Sequence, residues 1–150
     1  IQNRYSMMAR DYEKLFPVLE ELNIGFVAFS PMANGFLSGK YDKNTKFTTD
    51  DYRNKMPQFK ADNIDKNKDL INLLASIAEE KKATLAQISM AWMINKKPYI
   101  VPIPGTRKAE RLQENAKTSE IKLSKQEVKY IDEVLAKINM SEIFLGTKHD

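Results

Sequence analysis

Residues 24–31, IGFVAFSP, form a short, nearly continuous apolar run bounded by Gly25 and Pro31. A strand-length run without polar alternation suits a strand covered on both faces, as in parallel sheets. A second run, Ile100, Val101 and Ile103, stops at Pro104-Gly105-Thr106. The segments around both runs carry helical spacing. Ahead of the first, DYEKLFPVLEELN sets Leu15, Leu19 and Leu22 on one face, with Pro17 acceptable in a first turn, where its missing N–H had no partner. Between the runs, KNKDLINLLASIAEEKK places Leu70, Leu73, Leu74 and Ile77 together, and TLAQISMAWMINK places Leu85, Ile88 and Trp92 on one apolar side behind a capping box, Thr84 with Gln87. After the second run a helix is expected to start near Lys108. SKQEVKYIDEVLAKI then opens on another capping box, Ser124 with Glu127, and buries Val128, Ile131, Leu135 and Ile138. The first residues, IQNRYS, read as the tail of an earlier strand. Strands alternating with helices predict a parallel α/β sheet. Three strands are few: such a sheet leaves two edges unpaired and apolar faces uncovered, so the layout is that of part of a larger sheet or barrel.

Composition narrows the class. The chain has 150 residues, 42% hydrophobic and 29% charged, which fits one soluble globular domain. No stretch approaches the ~20 apolar residues of a membrane span. No signal peptide is evident, and the start at Ile1 rather than Met leads us to expect a fragment, a trimmed chain or a processed product. The absence of cysteine excludes disulfides and thiolate metal sites and fits a cytoplasmic location. Net charge is +4, but the two signs are interleaved without a long basic block, which argues against nucleic acid as a partner. The single histidine, His149, stands one residue from the end with nothing to pair with in sequence. Residues 31–65 read as a long polar loop seeded with Phe36, Tyr41, Phe47, Tyr52 and Phe59, and a loop of that length in a compact domain is usually functional or disordered.

Two stretches carry candidate chemistry. A helix N-terminus after Pro104-Gly105 offers free N–H groups and partial positive charge, which favour an anion. Thr106 can cap or donate a hydroxyl, and Arg107 and Arg111 can make charge-assisted bonds to a phosphate. Glu114 and Asn115, one turn on, can accept from and donate to an amino-purine edge. The residues alone leave a second reading open: a Pro-Gly turn followed by an ordinary charged surface helix. The other stretch is FSPMANGFLSGK, where Gly35 and Gly39 permit tight turns and Ser30, the Leu37 backbone, Ser38 and Lys40 can surround a diphosphate. By itself it reads equally as a surface loop with two glycines.

Taken together, GFVAFSPMANGFLSGK and IVPIPGTRKAERLQENA resemble the aldo-keto reductases, in the bacterial and plant-type branch of general NADPH-dependent reductases. DDYRNKMPQF, ATLAQISMAWMI and LSKQEVKYID match in order and spacing, so the resemblance runs from IQNRYS to about Leu135. It implies an eight-stranded (β/α)8 barrel, a TIM barrel, of which this chain is the C-terminal portion, about strands six to eight, as a single domain. It implies NADPH as cofactor and a carbonyl substrate for the full-length parent. Gln2 corresponds to the glutamine that binds the nicotinamide carboxamide, and Phe29 to an aromatic, commonly tyrosine, that stacks on the nicotinamide. Ser30, Pro31, Met32, Gly35, Leu37, Ser38 and Lys40 fall in the loop over the pyrophosphate. Ile103, Gly105, Thr106, Arg107 and Arg111 fall around the 2′-phosphate and ribose, and Gln113, Glu114 and Asn115 around the adenine.

The departures are as informative. The catalytic tetrad that the resemblance implies (Asp, Tyr, Lys and His) belongs to earlier strands and has no counterpart here, so no catalytic residue is expected and the chain alone is expected not to reduce carbonyls. Tyr5, Tyr12 and His149 are not substitutes. Gln58 stands where relatives often carry arginine. No metal site is expected. The rival reading is a cofactor-sensing or interaction module of the same fold that is not an enzyme, and an inert fragment is a third. Open sheet edges lead us to expect self-association.

Overall fold

The computed structural model of the chain describes residues 1–143. His149 lies outside them. Three short strands, β1 (Gln2–Arg4), β2 (Phe26–Phe29) and β3 (Ile100–Pro102), make a parallel sheet in the order β1-β2-β3. Gln2 is level with Val27, and Val27 with Val101. Among the described residues six α-helices accompany the sheet: α1 (Phe16–Glu21), α2 (Ala61–Lys66), α3 (Lys68–Lys81), α4 (Leu85–Lys96), α5 (Ala109–Ala116) and α6 (Lys125–Leu135). The alternation read from sequence is therefore the observed one. Pro17 sits in the first turn of α1, and both capping boxes form.

One face of the sheet turns Phe26, Ala28 and Ile100 into a core with Tyr5, Phe16 and Trp92. Rings of Tyr5, Phe16 and Phe26 meet edge to face at 5.6–5.9 Å, and Tyr5 stacks on Trp92 at 5.4 Å. The opposite face carries no layer among the described residues: Val101 is 55% and Ile103 44% exposed, in line with Val27 and Phe29. Among the described residues β1 and β3 pair on one side only.

Three expectations need correction. Leu22 was placed on one helical face with Leu15 and Leu19, yet α1 ends at Glu21 before the periodicity reaches it, and Leu22 is 60% exposed. α4 was read as one-sided; residues Ala86 to Met93 are all buried, because α3, β3, α6 and the turn after β2 surround the helix. Residues 31–65 are not a featureless loop. They contain short 3-10 turns and the start of α2, and Phe36, Tyr41, Phe47 and Phe59 pack against one another with centroids 5.1–5.7 Å apart; Tyr52 stays exposed.

Candidate functional site

The chain leaves β2 through an unusual turn. Ser30, Ala33 and Asn34 have φ of 51°, 47° and 60°, followed by Gly35 at 93° and Gly39 at 69°. Left-handed backbone is costly for alanine and serine, roughly 1–2 kcal/mol each. The left-handed residues at Ser30 and at Ala33–Gly35 curl the chain back on itself, so that the Ala33 N–H donates to the Ser30 carbonyl oxygen and the Gly35 N–H to that of Met32, both at 3.0 Å. The turn is braced from within: Ser38 Oγ donates to the Gly35 carbonyl oxygen at 2.7 Å, and the Leu37 N–H donates to that of Met32 at 3.2 Å.

The facing wall comes from the β3–α5 connection. Thr106 does not cap α5. Its Oγ1 accepts from the Lys108 N–H at 3.2 Å, a local turn that aims Arg107 and Lys108 outward just before the helix. α5 is held by its neighbour's cap: Thr84 Oγ1 donates to Glu114 Oε1 at 2.7 Å, and Gln87 Nε2 donates to the Glu114 carbonyl oxygen at 2.8 Å. The capping box of α4 thereby fixes Glu114 and Asn115.

Residues 41–53 supply the third wall. The Arg53 guanidinium lies 4.7 Å from the Phe47 ring centre and 5.3 Å from that of Tyr41, donates to the Tyr41 hydroxyl, and pairs with Asp51. Hydrogen bonds from Arg53 hold the Asp51 carboxyl down at about 2, so the pair stays ionised across the neutral range.

The three walls enclose a cavity of about 680 Å³, within the range of small-molecule sites. Ser30, Pro31, Met32, Gly35, Ser38 and Lys40 line it, opposite Ile103, Gly105, Thr106, Arg107, Arg111, Glu114 and Asn115. Two stretches some 70 residues apart in sequence thus face one space. Four other predicted residues do not line it. Gln2 and Phe29 belong to the uncovered sheet face, with the Arg4 guanidinium 5.6 Å from the Phe29 ring centre; Leu37 is fully buried; Gln113 is exposed on α5. Lys40, Arg107, Lys108 and Arg111 pair with no carboxylate among the described residues, as holds for most of the lysines and arginines; what sets these four apart is that all line one cavity. The buried Oδ1 of Asn34, also on the cavity, accepts no hydrogen bond among the described residues. The site therefore offers unsatisfied cations and one open acceptor, as a polyanion with polar appendages requires.

Sequence reading missed Asn34, Tyr41, Tyr52, Arg53 and Lys108 as lining residues. Lys108 was readable beside Arg107. Asn34 lies in the FSPMANGFLSGK turn after β2; Tyr41, Tyr52 and Arg53 reach the cavity only because residues 41–59 fold back on an aromatic cluster, which no local spacing announces. Gln58, in the same segment, is fully buried, with Nε2 donating to the Ala33 carbonyl oxygen at 3.4 Å.

Among the described residues no cluster of metal-ligating side chains occurs, and no helix is long and apolar enough to cross a membrane. The model of the Aldo/keto reductase family matches residues 1–136. Aldo-keto reductase str7 of Strobilurus tenacellus is 36% identical over 132 residues, covering 85% of this chain and 39% of its own length. Aldo-keto reductase yakc [NADP(+)] of Schizosaccharomyces pombe is 34% identical over 137 residues, covering 89% of this chain and 40% of its own. The chain thus spans about two fifths of the length of these relatives. The structure of a glycerol dehydrogenase from Gluconobacter oxydans superposes with a TM-score of 0.82 over 98% of this chain and 45% of that one, at 24% identity, a likeness of fold. By the extent of the family match and by these relatives, the chain belongs to the aldo/keto reductase family, whose fold is an α/β barrel.

Proposed function

We propose that the cavity binds NADPH and that the chain is the cofactor-binding, C-terminal half of a reductase that converts aldehydes or ketones to alcohols, its strands being about the sixth to eighth of a barrel. The observation that carries this reading is the convergence of Lys40, Arg107, Lys108 and Arg111 on one cavity beside a left-handed turn. Arg107 and Arg111 hold the 2′-phosphate, since two guanidinium groups have little to do beside a bare ribose hydroxyl. Lys40, Ser30, Ser38 and the turn take the diphosphate, with Leu37 as the buried peg that keeps the turn in place. Glu114 and Asn115 meet the adenine, with Gln113 at the outer edge. Phe29 stacks on the nicotinamide and Gln2 binds its carboxamide, both from the uncovered sheet face. When bound, the cofactor supplies hydride. This chain binds, orients and screens it, and the proton donor belongs to strands other than these three, so the chain alone is inactive.

Calorimetric titration tests the reading. NADPH is expected to bind in the micromolar range and NADH at least tenfold more weakly, about 1.4 kcal/mol, with the gap closed in Arg107→Ala/Arg111→Ala. Absence of binding to both dinucleotides sinks it. The exposed Val101 and Ile103 on the uncovered sheet face favour a second reading, an interaction module of the same fold, which predicts association with itself or a partner whether or not NADPH is present.

A further inference from the structure

After α6 the chain continues as a strap, residues 136–143, that packs against the core. Ile138 and Met140 pack on it, and Ser141 is 6% exposed. The strap is fastened at one polar point. Asn67, fully buried at the junction of α2 and α3, donates from Nδ2 to Ser141 Oγ at 2.7 Å and accepts from the Ser141 N–H on Oδ1 at 2.9 Å. Both ends of the amide are thus used on one residue 74 positions away. A buried amide that loses such partners is left unsatisfied.

The same junction governs a longer path. The Asn67 N–H donates to the Asn63 carbonyl oxygen at 3.0 Å, and Asn63 Nδ2 donates to that of Pro57 at 2.9 Å. Two residues on, Phe59 packs edge-on to Tyr41 with centroids 5.1 Å apart, and Tyr41 carries the Arg53 guanidinium in the cavity wall. The links are hydrogen bonds, a short stretch of chain and a ring contact, and Phe59 also packs on Phe36 and Phe47 in the same cluster. We propose that the strap is a positioning element for the cavity: the Asn67–Ser141 clasp fixes residues 57–67 and, through Phe59, the Tyr41/Arg53 wall. The clasp does not touch Arg107 or Arg111, so it sets how firmly a ligand is enclosed and leaves the choice between phosphorylated and unphosphorylated ribose alone. The ligand part of this rests on the proposed dinucleotide site; the mechanical part does not.

The experiment uses Ser141→Ala, with Ser141→Thr to restore the hydroxyl. Limited trypsin digestion of the ligand-free chain reads the wall through cleavage after Arg53, and the core through cleavage after Arg10, which is pinned to Glu13 at 2.8 Å. Ser141→Ala is expected to speed cleavage after Arg53 about tenfold with cleavage after Arg10 unchanged, and Ser141→Thr to return it near wild type. In titrations Ser141→Ala is expected to weaken NADPH and NADH by the same factor, about fivefold, with their ratio kept. Unchanged cleavage after Arg53 overturns the proposal, as does equal acceleration at both arginines, which would make the clasp a plain stabiliser. Weakening of NADPH alone overturns it too. Should wild type bind neither dinucleotide while the Arg53 contrast persists, the clasp stands and the cofactor reading falls.

Discussion

Gly39 holds φ at 69° while the first turn of α4 presses on it: an added Cβ would stand 2.6 Å from Leu85 Cδ2. Leu85 can swing aside, but the backbone angle cannot be had cheaply with a side chain. Gly39→Ala is expected to cost about 1–2 kcal/mol in urea unfolding. Gly105 has nothing within 4 Å of its Cβ position and no positive φ, so Gly105→Ala is expected to be neutral or slightly stabilising in the same assay. The sequence announced Gly39 as a turn, because glycine is the usual occupant of such backbone. It gave no sign of Ser30 and Ala33 at φ of 51° and 47°, since the strain there is imposed by β2 and the packing of Phe36 and Leu37. Arg107 and Arg111 were readable as phosphate ligands by charge and position alone, whereas Arg53 was not, because its place depends on a ring cluster assembled from distant residues.

At the scale of elements, one ionic knot ties the 3-10 turn Asp11–Leu15 to α4 and α6. Lys96 Nζ donates to Glu13 and Asp132 at 2.8 Å, Arg10 and the Tyr5 hydroxyl bind Glu13, and Trp92 Nε1 donates to Asp132 at 3.0 Å. Burial pushes the Glu13 carboxyl up, but hydrogen bonds from Arg10, Lys96 and Tyr5 outweigh it and bring the carboxyl to about 2 from 4.5. The folded value lies below the unfolded one, so this stabilisation is complete above about 4.5 and is lost as pH falls through about 2. Thermal unfolding between pH 5 and 2 should show wild type losing more Tm than Lys96→Met, in which Glu13 has one donor fewer. Lys96→Met itself is expected to cost about 2–3 kcal/mol at pH 7. Both capping boxes were legible because the interaction closes within four residues. α4 was misread for the opposite reason: an all-round buried helix has no polar stripe, so picking Leu85, Ile88 and Trp92 as its face left out Ser89, Met90, Ala91 and Met93.

For the whole molecule, alternation of strand and helix predicted a parallel sheet, and the register supplies it. The sequence also implied too few strands for the apolar surface, and the bare Val101 and Ile103 are that surplus made visible. Sedimentation across a range of concentrations should show self-association, shifted towards monomer by Val101→Lys, which places a charge on a free edge strand. Monomer at every concentration would exclude it.

Parallel pairing has a further cost, in time. Neither strand pair is closed by a hairpin, and the partner of Phe26 is Ile100, far along the chain. During synthesis β2 emerges long before the strand that completes it, while β1, α1 and β2 form an early local unit. The middle strand of the sheet therefore waits with one side unpaired until α3 and α4 have been made, and that interval is when this chain is most exposed to aggregation and to chaperones.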